Sequence, residues 1–282
     1  MKASALQHQA EDLASRLPPL LAAAERLAAS VALGAHGRRR TGPGDTFWQY
    51  RRAGPGDGAG SIDWRRSGRS DHLFVRETEW AAAQTVWLDL DCSASMDWRS
   101  DVALPTKSQR TLLMTLALAA LLLRGGERVA PLSGACLPCW GHGALSRLAT
   151  ALVLGGPGEP APPRDAIIVL AGDFLSPLDR IEARIAALAR AGAGGHLLQI
   201  LDPAEESLPY EGRIRFEGLE GEGDLLARRA EDLRPSYTNR LAAHRDGIAS
   251  VARRFGWSFA THRTDHSPAP GLLALSQRLA RR

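Results

Sequence analysis

The sequence predicts an α/β protein: a mostly parallel sheet flanked by helices, preceded by an N-terminal helical and turn-rich leader. Three observations predict it. Apolar, β-branched runs such as Thr85–Leu90 and Ala166–Ala171 are short and bounded, as buried strands are. Longer stretches with helical apolar spacing, such as Lys107–Arg124, lie between them. From residue 85 onward strands and helices alternate, which is the pattern of a parallel sheet covered on both faces.

In chain order, Ala3–Leu33 reads as one or two amphipathic helices interrupted at Pro18-Pro19. Gly34–Arg76 is rich in glycine and arginine and is punctuated by Gly54-Pro55-Gly56-Asp57-Gly58. His72–Glu77 alternates like an edge strand. Thr85–Leu90 is expected as a strand and Lys107–Arg124 as a long apolar helix. Arg128–Leu132 and Leu137–Trp140 read as short strands, and Ala144–Leu154 as a helix. A Gly/Pro loop, Gly155–Pro163, leads to the buried strand Ala166–Ala171, the helix Leu178–Ala191 and the strand His196–Leu201. The irregular acidic stretch Asp202–Gly223 contains a small hairpin at Arg213–Glu217. A helix over Leu225–Phe255, bent at Pro235, a strand over Trp257–His262 and a helix over Leu272–Ala280 complete the chain. The expected division is a leader over residues 1–80 and an α/β domain over 81–282.

Composition narrows the function classes. Apolar residues make up 44% and charged residues 23%, the balance of a globular chain rather than a disordered one. The net charge is +4, with arginine clusters at Arg38–Arg40, Arg51-Arg52, Arg65-Arg66 and Arg281-Arg282. Asp45, Asp57, Asp63 and Asp71 dilute that field and no stacking aromatics recur, so nucleic-acid binding is not expected. The longest apolar run, Leu112–Leu123, is shorter than the about 20 residues of a bilayer span, and reads as a buried helix with no membrane insertion. The amino terminus lacks a signal-peptide pattern, and a cytoplasmic location is expected. Three cysteines make no disulfide framework. Cys136 and Cys139 form a C-x-x-C near His142; zinc or redox use stands beside the default of small buried thiols.

The chemistry concentrates at Asp91-Cys92-Ser93-Ala94-Ser95, where the first central strand ends. Hard oxygens from one carboxylate and two alternate hydroxyls suit Mg²⁺ or Mn²⁺, which keep waters and leave room for a further oxygen ligand. The same residues in a loop also build an Asx or Ser turn. Asp173 falls at the corresponding end of the second buried strand, where it either faces the Asp91 loop or caps the helix near Leu178; both hold together without conflict.

These residues resemble a von Willebrand factor A-type domain, whose metal-ion-dependent adhesion site begins with Asp-x-Ser-x-Ser. The whole chain from about Gly37 is similar to the bacterial domain-of-unknown-function 58 family. The likeness is carried by Gly56-Asp57, Ile62-Asp63-Trp64-Arg65, Arg69 and Leu73–Glu77, then by Leu201–Glu205, Tyr237, Arg240, His244 and Thr264-Asp265. The resemblance implies a von Willebrand factor A-like fold and a non-enzymatic protein-interaction module. It implies work beside a MoxR-type AAA+ ATPase on a client protein, in assembling or remodelling complexes. Asp91, Ser93, Ser95 and Asp173 match the adhesion-site positions and would hold Mg²⁺ or Mn²⁺ facing a partner's carboxylate. Two departures stand out. The adhesion-site threonine has no counterpart in Trp140–Ala144, so the metal is expected to bind weakly, or only when a partner supplies an oxygen. Gly60-Ser61 replaces an arginine common before Ile-Asp-Trp. Within the leader, Asp57, Asp63, Trp64, Arg69 and Arg76 form either a hydrogen-bonded brace or a docking face for the ATPase.

Two rivals remain. Asp89-Leu90-Asp91-Cys92-Ser93 also resembles the opening of a haloacid dehalogenase-type phosphatase, with Asp89 as nucleophile and Asp91 as acid/base. Asp173 and Asp179 would then be magnesium ligands and Lys107 the phosphate lysine. The other rival is a scaffold with a vestigial, metal-free site.

Overall fold

A computed structural model describes residues 18–31, 47–78, 84–155, 163–221 and 223–279, apart from the side chains of 47–49 and 76–78. Its central element is β5 (Ile167–Gly172), in which all six residues are buried. An unbroken apolar run has no face to give to water, so it lies inside the sheet with helices on both sides. Five strands, all parallel, run in the order β4 (Arg128–Pro131), β3 (Thr85–Leu90), β5, β6 (Gly194–Leu201) and β9 (Ser258–Arg263).

The two sheet faces carry separate cores. On one, Leu88, Val129, Val169 and Ile200 pack with α3 (Lys107–Arg124), α4 (Ala144–Leu154), α8 (Pro268–Leu279) and the helix α1 over residues 18–31, which inserts Ala24 and Val31. On the other, Ile168, Leu170 and Leu197 meet α5 (Leu178–Arg190), α7 (Ala230–Arg254) and Trp257. Close packing here requires Gly195: a Cβ on it would lie 2.5 Å from the Ile168 carbonyl and 2.6 Å from the Trp257 ring. The Trp257 indole N–H donates to the Ala193 carbonyl at 3.2 Å, so its polar edge stays bonded in the core.

Two elements differ from expectation. Residues 225–227 belong to β8 (Asp224–Ala227), which pairs antiparallel with β7 (Ile214–Glu217) instead of opening a helix. The reversal needs Gly221 and Gly223 at positive φ, and Arg215 pairs with Asp224 across the strands. The expected strand at Leu137–Trp140 is reduced to one bridge, Val129 with Cys139. Pro235 lies within α7 without ending it. Cys139 is buried, Cys136 is half-buried, and their sulfurs are 3.6 Å apart as free thiols.

Residues 36–84 form a second compact unit, and α1 groups with the sheet. In this unit β1 (Phe47–Arg52) pairs antiparallel with β2 (Phe74–Thr78). The one-turn helix α2 (Trp64–Ser67) is capped by Asp63, which accepts from the Arg66 amide at 3.0 Å. The expected elements before residue 18 lie outside the described residues. Among the described residues no helix is long and apolar enough to cross a membrane.

His262 on β9 is 7% exposed, and its Nε2 has no hydrogen-bond partner among the described residues. Burial, reinforced by nearby Arg110, pushes its pKa down to about 4 from 6.5. Between these values the unfolded chain holds a proton that the folded chain refuses. Stability is therefore full above about pH 6.5 and falls as pH drops toward 4, by about 2–3 kcal/mol. Urea unfolding near neutrality and near pH 4.5 is expected to show this loss, and His262→Leu to reduce it by about that amount.

Candidate functional site

β3 and β5 are neighbours, with Leu90 opposite Ala171, and the Asp91 amide continues the ladder to the Ala171 carbonyl at 2.9 Å. Asp91 therefore lies over Gly172. A Cβ on Gly172 would approach the Asp91 Cβ to 2.6 Å, so the close fit requires glycine. The chain then turns: Asp91 Oδ1 accepts from the Ser93 amide at 2.9 Å, an Asx turn, and a 3-10 turn follows over Ala94–Asp97. The turn sets Ser93 Oγ 3.1 Å from Ser95 Oγ, and Ser95 Oγ donates to Asp173 Oδ2 at 2.7 Å. Asp173, 5% exposed, accepts from the Leu175 amide at 3.2 Å through Oδ1. It does not cap α5, whose N-cap is Pro177. Ser93, Ser95 and Asp173 thus form one bonded rim, with Asp91 joined to it through the Ser93 backbone.

The central residue of this rim entered the sequence reading only as the phosphate lysine of the phosphatase rival. Lys107, the first residue of α3, is 0% exposed. Thr106 and Gln109 cap the helix reciprocally and fix where Lys107 starts. Its ammonium donates to Asp173 Oδ2 at 2.9 Å and to Glu205 Oε1 at 2.6 Å. Burial disfavours that charge, but Glu205 and Asp173 outweigh it and hold the lysine above its ordinary range. Burial likewise raises Asp173, yet the Lys107 ammonium and the Ser95 and Leu175 donors leave it below the usual carboxylate range. Glu205 stays above that range because burial outweighs Lys107.

Glu205 sits on α6 (Pro203–Ser207), where it completes a capping box with Asp202. Asp202 also accepts from the Ser100 amide at 3.0 Å, tying α6 to the loop after the serine turn. Tyr237 donates its hydroxyl to the Glu205 carbonyl at 2.6 Å, Gln199 donates to the Asp173 carbonyl at 2.8 Å, and His244 Nε2 meets the Phe174 carbonyl at 2.7 Å. Residues quoted above only as points of family likeness, Asp202, Glu205, Tyr237 and His244, thus support the segments around Asp173.

The donor set does not fit the resident divalent cation that the resemblance implies. Asp173 Oδ2 already takes two donors, one of them an ammonium, and the neutral oxygens are two hydroxyls bonded to each other. Mg²⁺ demands near-octahedral oxygen coordination, and an ammonium on the shared carboxylate repels it. The phosphatase assignments are also separated: Lys107 is committed to two carboxylates, and Asp89 Oδ2 accepts from Arg184 at 2.8 Å. Asp89, Asp91, Arg180 and Arg184 line a cavity of about 160 Å³ beside Gly172. Asp179 opens α5 within its first turn. On the rim, the Ser95 amide faces a carboxylate oxygen of Glu220, from the β7–β8 turn, at 3.4 Å.

The leader residues divide. Asp57 takes a two-pronged bond from Arg51 at 2.8 and 2.9 Å and a third from the Gly54 amide at 2.7 Å, and the Arg51 bond holds its carboxyl well below the usual range. Asp63 caps α2 and accepts from the Tyr50 hydroxyl at 3.3 Å. Both therefore brace the unit of residues 36–84, with Arg66 over the Tyr50 and Phe74 rings. Trp64, 62% exposed, is no buried brace, and Arg69 is exposed as well. The Arg76 side chain lies outside the described residues.

The fit over Gly172 yields a measurable expectation. Gly172→Ala forces Asp91 away from β5 and is expected to destabilise the fold by about 1–3 kcal/mol, read as a lower urea midpoint, because a packed site has no room for the methyl.

Known proteins place the chain without defining its work. Uncharacterized proteins of Mycobacterium tuberculosis and Mycobacterium bovis are 27% identical over 249 residues, covering 79% of this chain and 76% of theirs. Among solved structures, the conserved hypothetical protein BatB from Bacteroides thetaiotaomicron aligns with a TM-score of 0.39 at 15% identity, covering 71% of this chain and 98% of that one. An aerotolerance-related membrane protein from Bacteroides fragilis aligns at 0.40 and 15%, covering 71% and 100%. The family profile described as protein of unknown function DUF58 matches residues 49–247. With that match spanning most of its length, the chain belongs to the DUF58 family.

Proposed function

We propose that this chain is a non-enzymatic protein-interaction module of von Willebrand factor A-like fold, whose strand-end rim grips an acidic side chain of a client protein. A MoxR-type AAA+ ATPase is its working partner in assembling or remodelling the client complex. The observation that carries this reading is the carboxylate of Glu220 on the Ser95 amide, beside the Ser93 and Ser95 hydroxyls. The Ser95 amide suits a carboxylate, which only accepts hydrogen bonds, while the two hydroxyls pass their protons inward, Ser93 to Ser95 and Ser95 to Asp173, and fix the turn that presents that amide. Ser95 has an acceptor in Asp173, but Lys107, whose ammonium is held by two carboxylates, does not serve it as a base. In this reading Mg²⁺ or Mn²⁺ is not required at the rim.

The test uses the purified full chain and the MoxR-type ATPase of the same organism, with and without candidate client. Wild-type protein is expected to form the complex, and the Ser93→Ala/Ser95→Ala variant to weaken it at least about tenfold, or ~1.4 kcal/mol. Glu220→Gln, which weakens the internal competitor, is expected to strengthen it. Unchanged affinity in the serine variant would remove the rim from recognition. Metal-dependent release of phosphate from an aryl phosphate, abolished by Asp89→Asn, would restore the phosphatase instead.

A further inference from the structure

We infer that the Lys107 ammonium is this protein's built-in cation: it takes over the electrostatic work of the adhesion-site metal, so that the serine–aspartate rim is assembled without a divalent ion. A metal at such a site has two tasks. It neutralises carboxylates gathered at the strand ends, and it ties the loop after the first strand to the end of its neighbour. Lys107 performs both. One ammonium joins Asp173 after β5 to Glu205 on α6, and Ser95 of the turn after β3 bonds the same Asp173 oxygen. Its position is built in: the Thr106–Gln109 cap sets the start of α3, and the Lys107 amide donates to the Trp98 carbonyl at 3.3 Å, anchoring the helix to the loop beyond the serines.

The chain's own residues leave little for a second cation to do. Asp173 Oδ2 is shared by Lys107 and Ser95, Oδ1 faces the Leu175 amide, and Asp91 Oδ1 faces the Ser93 amide. Glu205 divides its oxygens between Lys107 and the Asp202 amide. The missing threonine follows from the same design. A site whose charge comes from a tethered ammonium has no need of a third neutral oxygen.

Replacing Lys107 by an uncharged side chain of similar length reverses the situation. Lys107→Met leaves Asp173, Glu205 and two hydroxyls converging on a space with no positive charge, an oxygen set that a hard divalent ion can fill. The variant is therefore expected to acquire the metal dependence that the wild type lacks.

Mg²⁺ and Mn²⁺ alone serve as probes, with calorimetry for binding and thermal melting for stability, each against chelator-treated protein. The wild type is expected to give no saturable heat and to keep its Tm within about 1 °C between chelator and millimolar metal. Lys107→Met is expected to melt lower in chelator and to recover on adding Mn²⁺. A saturable heat in the wild type, with a metal-dependent rise in Tm that Ser93→Ala abolishes, would overturn the inference. So would a Lys107→Met variant that folds and ignores both metals. If that variant does not fold, the wild-type titration still decides. Failure here is distinct from failure of the proposed function: a metal-dependent wild type can still lose its partner through the serine variant, whereas a metal-independent rim that binds no partner leaves Lys107 in its assigned role.

Discussion

A buried ammonium held by two carboxylates organises one end of this sheet. Taking a lone charge out of water costs several kcal/mol even after relaxation, so Lys107 at 0% exposure requires its partners, and they require it. Removing one member of such a buried pair typically costs about 3–5 kcal/mol, a large part of the 5–15 kcal/mol that holds a domain folded. Two carboxylates left facing each other would resolve the conflict by protonating one of them or by drawing apart. Either outcome disturbs a different element, because Asp173 follows β5 while Glu205 belongs to α6. An apolar side chain at position 107 could fill volume, but it could not fix the relative positions of a helix start, a strand end and a second short helix. The ion pair is thus understood better through the arrangement it specifies than through net stability.

Topology makes that arrangement possible. In an open parallel sheet the strand ends carry the loops that bind, and the adjacency of β3 and β5 brings Asp91 and Asp173 to one edge. Gly172 allows the two turns to lie within van der Waals contact. Behind them a second ring keeps the backbone around Asp173 in place: Gln199 from β6 and His244 from α7 bond the two successive carbonyls, Asp173 and Phe174. Arg245, one residue on, holds the other end of the Gln199 amide and pairs with Glu206. The positive φ of Phe174, 49°, marks where the chain bends sharply enough to present these groups.

Much of this was legible in the sequence. The buried strands announced themselves by unbroken apolar runs, and the rim by carboxylates and hydroxyls placed where such runs stop. The registry of β3 against β5 was not legible, since strand order follows from crossovers and not from local composition. The ion pair of Lys107 was not legible for a related reason. The sequence offered this lysine only to a phosphate, and local composition does not show the two carboxylates that the fold brings to it from 66 and 98 residues away. The β7–β8 hairpin was half seen: apolar residues 225–227 continue smoothly toward α7, and only the glycines at 221 and 223 signal the reversal. Trp64 was left between brace and docking face, because composition does not tell which way an aromatic among charged residues points; it is exposed here.

The hairpin bears on how the rim is used. Glu220 is tethered to its site, so its effective concentration there is set by a short linker and reaches about the millimolar range. Under the proposed function, a tethered carboxylate at that concentration would exclude weak acidic ligands and yield to partners that add contacts of their own. The Ser95–Glu220 bond, at 3.4 Å, is long for an amide–carboxylate pair. Exposed Leu219, Leu225 and Leu226 on the same hairpin offer apolar area that a displacing partner can cover. Under the proposed function, discrimination at this rim would come from the sum of one acidic side chain and an apolar contact beside it, and an isolated carboxylate would supply only the first.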